Sequence, residues 1–199
     1  MVFLLTIMFL YCVLNSEQPG VVTARFGEDI IIGNLDTGVW PESESFNDQS
    51  GKATHMFLIF GLCVKCQMNV VMIRKLIGAR CFNKGVEAEL GNSLNSSYRT
   101  VRDTSGHGTH TLSTAGGRFV GGANLSGSGY GTGKGGSPSA RVASYKSCWP
   151  ECNDADVMAA FDAAVHDGIL RLFLGQHRNW ILSCCPEWNC CCLTHAWKC

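Results

Sequence analysis

Charge of one sign is what this sequence most clearly lacks. Sixteen Lys and Arg balance sixteen Asp and Glu, so the formal net charge is zero. No stripe of Lys or Arg stands out, which leaves nucleic-acid binding without electrostatic support. The apolar N-terminus, residues 1–14 (MVFLLTIMFLYCVL), is shorter than the ~20 residues a comfortable membrane span needs. A phosphate cradle is missing too: Gly133-Lys134 is followed by Gly135, where a hydroxyl residue should stand. With 46% apolar and only 16% charged residues, the chain reads as globular rather than disordered.

Cysteine is plentiful but unevenly placed. Six of the twelve (Cys184, Cys185, Cys190, Cys191, Cys192 and Cys199) crowd into the last sixteen residues. That clustering marks the tail as a different kind of sequence from the body. Its spacing, C-C-x4-C-C-C-x6-C, is unlike zinc spacings. Cys63-x-x-Cys66 has no second pair to complete a zinc site and no strand–helix context for a redox pair. Unpaired or loosely packed cysteines are the expectation there. No metal and no cofactor is expected.

Residues 28–35 (EDIIIGNL) form an apolar, β-branched run that ends in a turn. Such a run suits a strand buried on both faces of a parallel sheet. Asp36 then sits at the strand's C-terminal end, the edge where ligand sites of open α/β sheets collect. Residues 57–73 keep no steady period and stay unassigned. Residues 103–117 (DTSGHGTHTLSTAGG) are small and tight, and predict a helix from about Thr109 with His107 at its N-terminus, facing a glycine-lined cleft. Residues 121–136, rich in Gly and Ser, are read as a surface loop. Residues 140–146 (ARVASYK) predict the next strand. Residues 153–168 predict the clearest helix, capped by Asn153 or Asp154, with Asp156 adding negative charge in the first turn. Val157, Phe161, Ala164 and Val165 form its apolar stripe, and Gly168 stops it. Residues 169–174 (ILRLFL) could start a third strand. Strand and helix in alternation point to an α/β fold with a parallel sheet and flanking helices.

Two segments carry chemistry. The first is Asp36-Thr37-Gly38-Val39-Trp40-Pro41-Glu42-Ser43, and the second is Ser105-Gly106-His107-Gly108-Thr109-His110-Thr111. A lone D-T-G is weak, because aspartic proteases also use it. Those enzymes need two such Asp residues sharing a proton, and only one D-T-G is present. The glycine-flanked His followed by T-H-T is the stronger signal. Together the segments resemble the subtilisin-like serine proteases, in detail the plant subtilases. Further stretches agree: Lys75-Leu76-Ile77-Gly78-Ala79-Arg80, then Phe82-Asn83-Lys84-Gly85, and residues 24–48, 138–149 and 155–168. About 120 of the 199 residues are covered.

The resemblance implies a triad in which Asp36 is the acid and His107 the general base. A serine hydroxyl is a weak nucleophile until a His takes its proton, and the His needs a carboxylate to hold its tautomer. The chain order, Asp before His, is that of subtilisins rather than of chymotrypsin-like enzymes or α/β-hydrolases. His110 is expected to pack rather than to catalyse. His55, His166, His177 and His195 have no motif around them. The resemblance further implies polypeptide substrates and a secreted, apoplastic or cell-wall location. Residues 1–14 have the length of a signal-peptide apolar region but lack a preceding Lys or Arg and a clean cleavage site; a leader and a buried segment both stay open. Asn95-Ser96-Ser97 and Asn124-Leu125-Ser126 fit the N-glycosylation pattern, which matters only for a secreted chain.

The sequence also departs from that family. The G-T-S-M-type segment that would carry the nucleophilic Ser does not occur in it, nor does the oxyanion-hole Asn, and Ser183 has no family surroundings. By its own residues the chain is expected to be inactive. The organisation read here is an apolar leader at 1–20, the N-terminal part of a subtilisin-like domain at 24–168 with 54–73 atypical, and a Cys-rich tail at 169–199. The sheet is therefore expected to be partial, incomplete at its C-terminal end. The resemblance stops abruptly at Gly168 just where Cys density jumps, which a shifted reading frame near Ile169 would produce. Two readings of other classes stay open: a non-catalytic binding or regulatory fragment, and a Cys-rich metal-binding protein. Oligomeric state is not legible.

Overall fold

The computed structural model describes residues 25–47, 75–149, 151–169, 171–174, 180–184 and 191–195. The apolar leader, the atypical stretch at 54–73 with Cys63 and Cys66, His55 and His177 lie outside them. Among the described residues no helix is long and apolar enough to cross a membrane.

The β-branched run of the N-terminal third forms strand β1, Ile31–Asp36. It begins later than the sequence pattern suggests, and Asp36 is its last residue rather than the first residue beyond it. β2 is Leu76–Cys81 and β5 is Arg141–Lys146. A fourth strand, β6, is Arg171–Leu174. These four lie parallel in the order β2-β5-β1-β6, and two antiparallel strands, β7 (Trp180–Cys184) and β8 (Cys191–His195), extend the same sheet. β1 thus sits inside the sheet, with Asp36 in register with Lys146 of β5.

Helices cover both faces. α1 is Lys84–Leu90, α2 is His107–Gly116 and α3 is Asp154–His166. Ile31, Leu35, Ala143, Tyr145 and Leu172 join Ala160 and Ala164 of α3 in one core cluster. Leu76, Ala79 and Val142 join Val39, Phe46, Val101 and Leu112 of α2 in the other. Side chains alternate along a strand, so one face of β1 meets α3 while Ile32, Asn34 and Asp36 share the face toward α2. Leu112 is fully buried and anchors α2 to the sheet, a contribution of ~1.5–3 kcal/mol for such a side chain.

The clearest helix has the expected cap: the Asn153 side chain accepts from Ala155 N at 3.0 Å, and Gly168 beyond it has φ of 75°. Its stripe is shifted, however. Val165 is 47% exposed, while Asp156 and Ala160 are buried. Asp156 faces inward because its carboxylate accepts from Gly85 N (2.8 Å) and Val86 N (2.9 Å), capping α1 from outside.

The glycine-rich stretch read as a loop is instead a β-hairpin, β3 (Val120–Leu125) with β4 (Ser128–Gly133), antiparallel and mostly exposed. Backbone pairing makes its ladder, and glycines give no alternating pattern to announce it. Cys148 and Cys152 form a disulfide.

Candidate active site

β1 delivers Asp36 to the end of the sheet, fully buried, and α2 begins on His107. The helix starts two residues earlier than the sequence suggests because Asp103 takes up its orphan donors. Oδ1 of Asp103 accepts from Ser105 N (3.0 Å), Gly106 N (2.8 Å) and Thr37 Oγ1 (2.9 Å). Oδ2 accepts from Thr109 N (2.7 Å) and Thr109 Oγ1 (2.6 Å). Burial works against a charge on Asp103, but these bonds from Thr109, Gly106 and Thr37 outweigh it and hold the carboxyl below its usual range. One carboxylate therefore ties α2 to the turn that follows Asp36.

That turn is further fixed by Gly108 N donating to Thr37 Oγ1 at 2.8 Å and by Trp40 N donating to Thr109 Oγ1 at 2.9 Å. Val39 N donates to Val101 O, and Asp103 N to Val39 O, both at 3.1 Å. Asp103 was not singled out by sequence reasoning. Its position four residues before His107, at the head of a small-residue helix, is the signal that could have found it.

His107 Nδ1 lies 2.9 Å from Asp36 Oδ1 and 3.1 Å from Oδ2. The two residues predicted to act together are thus in hydrogen-bond contact across 71 positions of sequence. Asp36 Oδ1 also accepts from Thr37 N at 2.6 Å, and Oδ2 from Thr111 Oγ1 at 2.8 Å. A buried carboxylate needs its lone pairs satisfied, and these donors satisfy them at Asp36. The His107 side chain is 26% exposed against 0% for Asp36. Its Nε2 has no hydrogen-bond partner among the described residues. The arrangement is a buried, hydrogen-bonded carboxylate behind an imidazole whose far nitrogen faces no partner among the described residues.

Two features frame the pair. Arg102 pairs with Glu42, Nη1 to Oε2 at 2.7 Å, and lies 5.0 Å over the half-exposed ring of Trp40. On the other side, Lys146 is buried at the end of β5, its Nζ donating to Arg102 O at 2.7 Å and standing 4.2 Å from the Trp149 ring. Loss of hydration pushes its pKa down to about 8, and the nearby Asp103 only partly restores it.

His110, expected to pack, is exposed and lines a surface cavity with Ser113, Thr114, Arg118 and Lys134; that cavity does not include Asp36 or His107. His166 is likewise exposed. Among the described residues no three His, Cys, Asp or Glu side chains stand together to hold a metal ion. Three of the six tail cysteines, Cys185, Cys190 and Cys199, lie outside those residues.

The model of the subtilase family matches residues 27–181, a span that runs past Gly168. The chain is 59% identical over 151 residues to the subtilisin-like protease SBT5.3 of Arabidopsis thaliana, covering 73% of this chain and 19% of that protein. It is 56% identical over 151 residues to SBT5.4 of the same plant, with the same coverage. Against the subtilisin-like serine-protease S of Lotus japonicus it is 49% identical over 158 residues, 74% of this chain and 20% of the relative. The chain thus spans about a fifth of the length of the curated relatives it matches.

Proposed function

Because the chain belongs to the subtilase family, we propose that Asp36 and His107 are the acid and the general base of a site for serine-type hydrolysis of peptide bonds. The observation that carries this reading is the 2.9 Å contact between His107 Nδ1 and the buried Asp36 carboxylate. In the reaction, a serine hydroxyl gives its proton to His107 Nε2 as its oxygen attacks the scissile carbonyl. Asp36 accepts from Nδ1–H throughout, fixes the tautomer and stabilises the imidazolium. His107 then passes the proton to the leaving amine, and a water molecule repeats the sequence to release the acyl group. Substrates are polypeptides.

The nucleophile is not supplied by a segment of G-T-S-M type within these 199 residues. The 199-residue polypeptide taken by itself is therefore proposed to be inactive, since removing the nucleophile from such a triad costs on the order of 10⁶ in turnover. The Cys148–Cys152 disulfide and the exposed Asn95 and Asn124 sequons support a secreted protein.

A fluorophosphonate probe tests inactivity: the purified chain should take no label, and His107-dependent labelling of a serine overturns it. A chimera tests the roles. Residues 25–168 joined to the remainder of SBT5.3 should hydrolyse peptides, and His107→Ala should lower kcat by on the order of 10⁴–10⁶. A chimera whose activity survives that substitution refutes the assignment.

A further inference from the structure

Two polar side chains beside Asp36 have no part in the reaction as described: Asn34, which is buried, and Thr111, which is half-buried. Asn34 lies two residues before Asp36 on the same face of β1 and is fully buried. Its Nδ2 donates to Gly108 O at 3.1 Å and to Thr111 Oγ1 at 3.1 Å. Turning the amide over would bring its oxygen against the Gly108 carbonyl, acceptor against acceptor, so Gly108 fixes the orientation. The consequence is that Asn34 Oδ1 is buried with no hydrogen-bond partner among the described residues. A buried unpaired carbonyl destabilises a fold, so its retention calls for a reason.

Thr111 supplies it. Its hydroxyl has one proton and four polar neighbours: Asp36 Oδ2 at 2.8 Å, Asn34 Nδ2 at 3.1 Å, Gly108 O at 3.1 Å and His107 O at 3.2 Å. The Asn34 amide occupies a lone pair. A carboxylate can only accept, and it is both the nearest and the charged acceptor, so the proton points at Asp36. Without the Asn34 amide, the hydroxyl is free to turn back on its own helix carbonyls, the habit of Ser and Thr within helices.

We propose that Asn34 and Thr111 are positioning residues for the acid–base pair: the Asn34 amide aims the Thr111 hydroxyl, and that hydroxyl keeps Asp36 charged and fixed under His107. The inference rests on the acid–base reading given above. The other ionisable groups around the pair are Asp103, bonded to Thr37 before α2, Lys146 at the end of β5, and the exposed His110 further along α2.

The test follows the Asp36 carboxyl ¹³C resonance against pH in the 199-residue chain. Thr111→Val should raise the midpoint by about 0.5–1 pH unit, a ~3- to 10-fold gain in proton affinity for the loss of one donor. Thr111→Ser, which keeps the hydroxyl, should leave it in place. Asn34→Leu should move the midpoint the same way as Thr111→Val while melting no lower than the parent, because it also removes the unpaired carbonyl. A Thr111→Val midpoint unchanged from the parent overturns the proposal. So does an Asn34→Leu protein that melts lower with its midpoint unmoved, the signature of a structural role alone. If Thr111→Val does not melt cooperatively, Asn34→Leu decides. His107→Ala separates the two readings, since it removes another donor to Asp36. If its midpoint stays put, the acid–base reading fails; if it rises and the other variants do not, only this inference fails.

Discussion

Gly108 of α2 rests on Gly38 so closely that a Cβ on Gly108 would stand 2.3 Å from the Gly38 carbonyl oxygen and 2.9 Å from its nitrogen. Gly38 cannot yield: its φ is +115°, and a Cβ there would meet Val101 O at 2.4 Å. The two backbones touch because the imidazole of His107, one residue away, must reach a carboxylate at the end of β1. Gly108→Ala is expected to lift the start of α2 off the sheet and to cost ~2–4 kcal/mol in denaturant unfolding. Stability within ~0.5 kcal/mol of the parent would show that α2 shifts without penalty.

Asp103 makes stability depend on acid. Its carboxyl is held below its usual range, with burial opposing and five hydrogen bonds prevailing. A group whose pKa is depressed by folding stabilises above its unfolded value, ~3.9 for Asp, and that contribution is lost as pH falls through the folded value. Asp103→Asn is expected to cost ~2–4 kcal/mol at neutral pH and to flatten the acid limb of the stability profile below pH ~4. Equal acid limbs in parent and variant would contradict this.

Lys146 gives the opposite limb. Burial lowers its pKa to about 8, so the folded chain sheds a proton near pH 8 that the unfolded chain keeps to ~10.4. Stability should therefore rise between those values, by up to ~3 kcal/mol. Lys146→Met is expected to abolish the rise. Denaturant midpoints at pH 7, 9 and 10 read it directly, and a slope that persists in the variant would place its origin elsewhere.

The two sequons should differ. Asn95 Oδ1 accepts from Ser97 N (3.1 Å) and Ser97 Oγ (3.2 Å), and its Nδ2 has no partner among the described residues. Asn124 instead closes the β3–β4 turn, donating to Gly122 O and accepting from Gly127 N, each at 3.0 Å. Secreted from a eukaryotic host behind a foreign signal peptide, the chain is expected to carry a glycan on Asn95. Asn95→Gln should remove one glycan-sized step on a gel, and a secreted protein with Asn95 unmodified would refute the assignment.

Much of the site was legible because its signals are local. The β-branched run ending on Asp36 and the glycine-flanked His107 each announce themselves within a few residues, and the structure brings them into contact. What could not be read depends on partners distant in sequence. Asp156 looked like an ordinary first-turn acid, yet it caps α1 some seventy positions away. Asn34 carries no local signal, because the partner of its amide, Thr111, stands 77 positions away. The β3–β4 hairpin escaped because its ladder is made by backbone atoms that every sequence has. The Cys148–Cys152 disulfide could not be read because a spacing of four residues does not fix whether the two Cα atoms come within bonding distance.

The interior place of β1 also sets when the site can exist. Its hydrogen-bonded neighbours are residues 141–146 on one side and 171–174 on the other. Asp36 leaves the ribosome more than a hundred residues ahead of either strand. At ordinary rates of synthesis, ~5–20 residues per second, that is a wait of roughly 5–20 seconds. During it, α2 has no finished sheet to dock on, and both edges of β1 offer unpaired backbone to any other strand. Assembly of the Asp36–His107 pair is therefore a late event in the life of a nascent chain. Substitutions that slow the arrival or pairing of β5 should reduce the yield of folded protein without touching a residue of the site.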